Sequence, residues 1–201
     1  MKIKNIVISL ILISVVGGFV YYFKSGGENI SADISTVNKL SAKDLVKISN
    51  SYVDKYWGNR SYHIGKINMT LDKNLEGKVE IWYKDEKKDG NGVPNIITVE
   101  IDTKENKILH IINQERNSKI VPGDINIDKW SIDSIDAIDM AMKLFMQDNN
   151  FSFTTAWVSL TNLNKNSKEV WNISFYDEKT KKAVYFGVDA YTGEILRNEV
   201  K

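Results

Sequence analysis

Two stretches of this chain carry the same residue pattern, and that repetition restricts the fold more than any other feature of the sequence. Ile101-Asp102-Thr103-Lys104-Glu105-Asn106-Lys107-Ile108-Leu109 aligns without a gap on Val188-Asp189-Ala190-Tyr191-Thr192-Gly193-Glu194-Ile195-Leu196. Upstream, Val79-Glu80-Ile81-Trp82-Tyr83-Lys84-Asp85-Glu86 aligns on Trp171-Asn172-Ile173-Ser174-Phe175-Tyr176-Asp177-Glu178. Further upstream each copy has a helical pattern. Ser41 caps the first, with Leu45, Ile48, Tyr52 and Tyr56 at helical spacing. Ser131 or Ser134 caps the second, with Ile135, Ile138, Met142 and Phe145. Each unit therefore reads as a helix followed by several antiparallel strands, an α+β arrangement.

The strand assignment rests on period two. Val79, Ile81 and Tyr83 face one way and Glu80, Trp82 and Lys84 the other; Trp171, Ile173 and Phe175 repeat the inward set. The turns have their own chemistry. A type I turn followed by one left-handed residue favours Asp early and Gly late, which fits Asp189 and Gly193. Asn106 stands at the position equivalent to Gly193, and Asn tolerates that backbone well. Asp102 and Asp189 are therefore read as turn residues that accept backbone N–H groups, with Asn106 and Gly193 as their companions.

The start of the chain assigns a compartment. Residues 6–23 contain no ionisable side chain except Tyr21 and Tyr22. Eighteen helical residues at about 1.5 Å each span roughly 27 Å, close to a bilayer core. Lys2 and Lys4 precede the run and Lys24 alone follows it, so the positive-inside bias puts the remainder outside the cytoplasm. The run is long for a signal-peptide core and no A-x-A site follows, which favours an uncleaved anchor; a cleaved signal peptide exports the same remainder. The expected division is residues 1–24 as cytoplasmic start and anchor, 25–38 as tether, 39–112 as the first unit, 113–130 as linker and 131–201 as the second unit. A coil of about 15 residues reaches roughly 20–25 Å, holding the units near the membrane.

Composition removes several classes of function. The chain has no cysteine, hence no disulfide, thiolate nucleophile or lipidated cysteine. Its net charge of +1 gathers no nucleic acid. Its two histidines, His63 and His110, sit in no paired ligand spacing, and no G-x-S-x-G elbow is present. Asp133, Asp136 and Asp139 recur every three residues, but acidic residues at a helix start complement its dipole. Asp89-Gly90-Asn91-Gly92 lacks the closing Glu of a calcium loop and reads as a turn. The expectation is a non-enzymatic protein with no cofactor and no metal. Trp82 falls on the parity opposite to Val79 and Ile81, and Tyr176 has the same parity on its own strand. Both are candidate contacts for a protein partner on an exposed sheet face.

The second unit resembles a PepSY domain. The resemblance is carried by Val170-Trp171-Asn172-Ile173-Ser174-Phe175 and by Val188-Asp189-Ala190-Tyr191-Thr192-Gly193-Glu194-Ile195-Leu196, and covers roughly residues 131–200. The first unit is a degenerate copy, with Asp102-Thr103-Lys104-Glu105-Asn106 in place of the signature turn and an insertion over residues 87–95. The resemblance implies a PepSY/cystatin-like fold, a helix packed on an antiparallel sheet. It also implies a regulator that modulates or inhibits an extracytoplasmic partner, a peptidase or a penicillin-binding protein of cell-wall synthesis. An extracytoplasmic sensor or small-ligand-binding module is the alternative.

Overall fold

The computed structural model describes residues 28–58, 61–88, 94–114, 123–148, 152–162 and 168–200. The anchor at residues 6–23 lies outside the described residues, as does the Asp89-Gly90-Asn91-Gly92 turn. Among the described residues no helix is long and apolar enough to cross a membrane.

The chain runs β1 (Glu28–Asp33), α1 (Ala42–Trp57), β2 (Tyr62–Asp72), β3 (Gly77–Lys88), β4 (Pro94–Asp102), β5 (Lys107–Gln114), a 3-10 turn (Ile127–Lys129), α2 (Ser134–Asp148), β6 (Thr155–Thr161), β7 (Val170–Asp177), β8 (Lys182–Asp189) and β9 (Ile195–Val200). All strands join one antiparallel nine-stranded sheet in the order β1-β5-β4-β3-β2-β6-β7-β8-β9. Each half is thus a helix followed by a four-strand meander. The two meanders meet through their first strands, β2 and β6, which pair from Lys66↔Thr161 to Asp72↔Thr155. The two halves of the chain form one continuous sheet. Fusing the first strands removes two exposed edges at once, and unpaired edges invite aggregation.

Period two decides which face is core. Ile67, Met69 and Leu71 on β2, Val79 and Ile81 on β3, Val158 and Leu160 on β6, and Trp171, Ile173 and Phe175 on β7 are all buried. They form one cluster with both helices. The Phe145 ring of α2 lies 5.0 Å from Phe175, and the Tyr83 hydroxyl donates to Asn50 Oδ1 of α1 at 2.8 Å. Both helices therefore cover the same face.

Three expectations need correction. Residues 25–38 are not simply a tether: Glu28–Asp33 is the edge strand β1, paired with β5. Ile30, Ala32 and Ile34 alternate and are buried, which the surrounding polar residues obscure. The buried stripe of α1 is Ala42, Leu45, Val46, Ser49 and Val53 rather than one centred on Ile48 and Tyr52, which are only partly buried. Ser49 belongs to that stripe because its hydroxyl donates to the Leu45 carbonyl at 2.6 Å and leaves no polar atom to solvate. Finally, neither Ser131 nor Ser134 is the α2 cap. Asp133 holds that place, its carbonyl accepting the Ala137 N–H at 3.0 Å.

Candidate functional site

The sheet face turned away from the helices carries the opposite-parity residues. Trp82 lies there opposite Lys66 and Thr98, and Tyr176 opposite Thr155 and Ala183. They do not form one patch. Three strand spacings separate β3 from β7, about 14 Å. The rows of Trp82 and Tyr176 meet β6 at opposite ends, Thr161 and Thr155.

Each aromatic has a different neighbour. Lys66 Nζ sits 4.7 Å above the Trp82 ring, a cation–π contact. Thr98 and Ile112, which continue the Trp82 row, are both buried, so Trp82 borders a covered part of this face. Tyr176 packs beside Trp157, with ring centroids 5.5 Å apart. Trp157 is 43% exposed and is flanked across the strands by Thr70 and Ser174. The open aromatic pair is therefore Trp157–Tyr176. Trp157 was legible in principle: it breaks the parity of Ala156, Val158 and Leu160.

The signature turn at Asp189 and its counterpart at Asp102 have matching geometry. Asp189 Oδ1 accepts the N–H groups of Tyr191 at 2.8 Å and Thr192 at 3.1 Å; Asp102 Oδ1 accepts those of Lys104 and Glu105, both at 2.9 Å. Gly193 has φ 75° and Asn106 φ 56°. The Asp189 side chain is 1% exposed, with the Lys168 ammonium 3.2 Å from Oδ2. Burial alone raises its pKa, but the Tyr191 N–H, Lys168 and the Thr192 N–H outweigh it and hold the carboxyl below its ordinary value.

A second buried carboxylate, Glu169, ties the segment before α2 to β7. It accepts Trp130 Nε1–H at 2.5 Å and the Asn126 N–H at 3.2 Å. Trp130 meets Trp171 edge-to-face with centroids 5.1 Å apart. The Tyr191 hydroxyl is pushed up to about 12, by burial first and then by the Glu169 charge.

A cleft of about 640 Å³ opens on the helix side, between the second half of α1, the start of β2 and residues 124–128. His63 stands at its edge, with Nε2 2.9 Å from Glu86 Oε1, whereas His110 lies on β5 opposite Glu100. Among the described residues no group of three His, Cys, Asp or Glu side chains could hold a metal ion. Asp133 and Asp136 are engaged with backbone N–H groups at the helix starts.

Residues 136–199 match the PepSY family model, described as "Peptidase propeptide and YPEB domain". A PepSY domain thus runs from the first turn of α2 to β9, where the sequence resemblance placed it. The chain is also similar to a crystal structure described as a "putative lipoprotein" from Clostridium difficile 630, at 17% identity and a TM-score of 0.52. That likeness covers 87% of this chain and 99% of the other, so the shared fold extends well beyond the PepSY segment. No curated protein matches the chain.

Proposed function

We propose that this chain is a membrane-held, extracytoplasmic regulatory protein built from two tandem PepSY-like units. It modulates or inhibits a cell-envelope peptidase or a cell-wall synthesis enzyme by protein–protein contact, without catalysis of its own. The observation that carries the reading is the Trp157–Tyr176 pair, an exposed tryptophan stacked beside a half-buried tyrosine on the outer sheet face within the PepSY segment. Aromatic residues of this kind anchor protein interfaces, since they bury large area at low entropic cost.

Other observations agree. The family description names peptidase propeptides, and the structural neighbour is described as a "putative lipoprotein". The apolar run at residues 6–23 supplies an anchor of sufficient length for this chain. The tandem reading draws on the halves themselves: each is a helix and a four-strand meander, arranged about the β2–β6 pairing, with equivalent turns at Asp102 and Asp189. Replacing Trp157 and Tyr176 with Ala together is expected to abolish co-purification of the envelope enzyme while the chain stays folded. Undiminished recovery of that enzyme would overturn the assignment of the face.

A further inference from the structure

The cleft beside α1 lies on the side of the sheet opposite Trp157, and the way it forms explains its chemistry. β2 has a register shift between Ile64 and Lys66, and β6 ends at Thr161 opposite Lys66. The start of β2 thus projects past its neighbour. Residues 124–128 take up that place: the Ile125 N–H donates to the Ile64 carbonyl at 2.8 Å, and Lys84 pairs with Asp124. The space left between this segment and α1 is the cleft, and its volume lies within the roughly 300–1,000 Å³ of ligand pockets.

Its lining is two-tone. Val53, Tyr62, Ile64, Tyr83, Ile125 and Ile127 give an apolar wall, and Asp54, Asp124 and Asp128 stand among them. The three Asp residues are exposed; Asp124 is already engaged by Lys84, which leaves Asp54 and Asp128 as the carboxylates a ligand meets. The C-terminal half of α1 contributes Asn50, Val53 and Asp54, so the partial negative end of the helix adds the same sign. Asn50 Oδ1 and the Tyr83 hydroxyl, bonded to each other, place polar atoms in the wall.

We infer that this cleft binds a peptide segment presenting a Lys or Arg side chain between apolar residues. The apolar wall takes the aliphatic stem and its neighbours, and Asp54 and Asp128 take the cationic head. Exposed charges contribute selectivity more than affinity, because solvent screens each pair. The discrimination between a cationic and a neutral side chain is therefore about tenfold at low salt and shrinks as salt rises. The inference is independent of the aromatic face, which it neither requires nor supports.

The test uses the full chain and three probes: acetyl-Leu-Lys-Leu-amide and its Gln and Glu counterparts. The chain's two histidines provide the site readout, since His63 lines the cleft and His110 lies on β5. The Lys probe is expected to bind about tenfold more tightly than the Gln probe and to shift the His63 imidazole resonance while leaving His110 in place. Asp54→Asn combined with Asp128→Asn is expected to remove the preference, and Asp139→Asn, on the exposed face of α2, to preserve it. Equal affinity for the three probes, binding that leaves His63 unmoved, or a preference that survives the double substitution would each overturn the inference. Amide-proton spectra of each variant establish that it is folded.

Discussion

Asp133 Oδ1 accepts the backbone N–H of Ala42 at 3.0 Å, so the carboxylate at the start of α2 also satisfies the first turn of α1. The contact is reciprocal in form. The Ser41 hydroxyl donates to Asp133 Oδ2 at 2.5 Å, and Ser134 Oγ donates to the Leu40 carbonyl. The two helix starts therefore cap one another, and their combined positive dipole ends face one buried-edge carboxylate. Losing that carboxylate affects both halves of the molecule.

Asp133→Ala is accordingly expected to destabilise the chain by about 1–2 kcal/mol, because the Ser134 N–H and the Ser41 hydroxyl lose their acceptor while the Ala42 N–H keeps Ser134 Oγ at 2.7 Å. Asp136→Ala, which removes only the longer 3.4 Å bond to the Asp133 N–H, serves as the local comparison and is expected to cost less. Urea unfolding followed by circular dichroism measures both. Equal costs would mean that the two helix starts are not coupled through Asp133.

The paired turns give a second test. Gly193 has φ 75°, and a Cβ there would lie 3.2 Å from Ile132 Cδ1. Gly193→Ala is expected to cost about 1–2 kcal/mol from the left-handed backbone and this contact. Asn106→Gly, at φ 56°, is expected to change stability by less than about 0.5 kcal/mol. Thermal unfolding of the two variants decides it.

Much of this was legible in the sequence because it depends on neighbours along the chain. Inward parity on β3 and β7 follows from period two, and turn residues declare the backbone they need. What escaped depends on residues far apart. The sequence of β2 does not announce that it pairs with β6, since no local pattern encodes that register. The role of Asp133 depends on α1 arriving beside α2, so serine looked the better cap. β1 was hidden because an alternating Ile30-Ser31-Ala32-Asp33-Ile34 set between polar residues is too short to stand out from a tether. Trp157 is readable by its parity against Ala156, Val158 and Leu160 once β6 is recognised as a strand. The phase of α1 is obscured in the sequence because Ser49 is polar there, whereas in the helix its hydroxyl donates to the Leu45 carbonyl.

Acid stability should depend on Asp189. Its carboxyl is held below the unfolded value of about 3.9. The stabilisation is therefore present above that pH and lost as pH falls through the folded value. Asp177 is shifted in the same direction, by the Lys179 N–H first, then, against burial, by Thr180. Asp189→Asn is expected to flatten the fall in stability below about pH 4, and Lys168→Met to flatten it less, because Lys168 is one of three supports. An unaltered acid limb in Asp189→Asn would show that the Asp189 carboxylate does not set it.

Glu169 should matter as an acceptor more than as a charge. Glu169→Ala leaves the buried Trp130 indole N–H and the Asn126 N–H without it, at an expected cost of about 2–3 kcal/mol. Glu169→Gln keeps one acceptor oxygen and is expected to cost less. Denaturant unfolding followed by tryptophan fluorescence reports both the stability and the Trp130–Trp171 environment. The same loss in both variants would make charge, rather than hydrogen-bond acceptance, the property that holds this segment.

The central claim is that the outer sheet face around Trp157 docks an envelope enzyme. The most direct measurement is photo-cross-linking in intact cells from a benzophenone side chain placed at position 157, with position 139 on α2 as the comparison. The account predicts a discrete adduct from position 157 that mass spectrometry identifies as an envelope peptidase or cell-wall synthesis enzyme, and none of it from position 139. Absence of such an adduct at 157, or the same adduct from both positions, would contradict it.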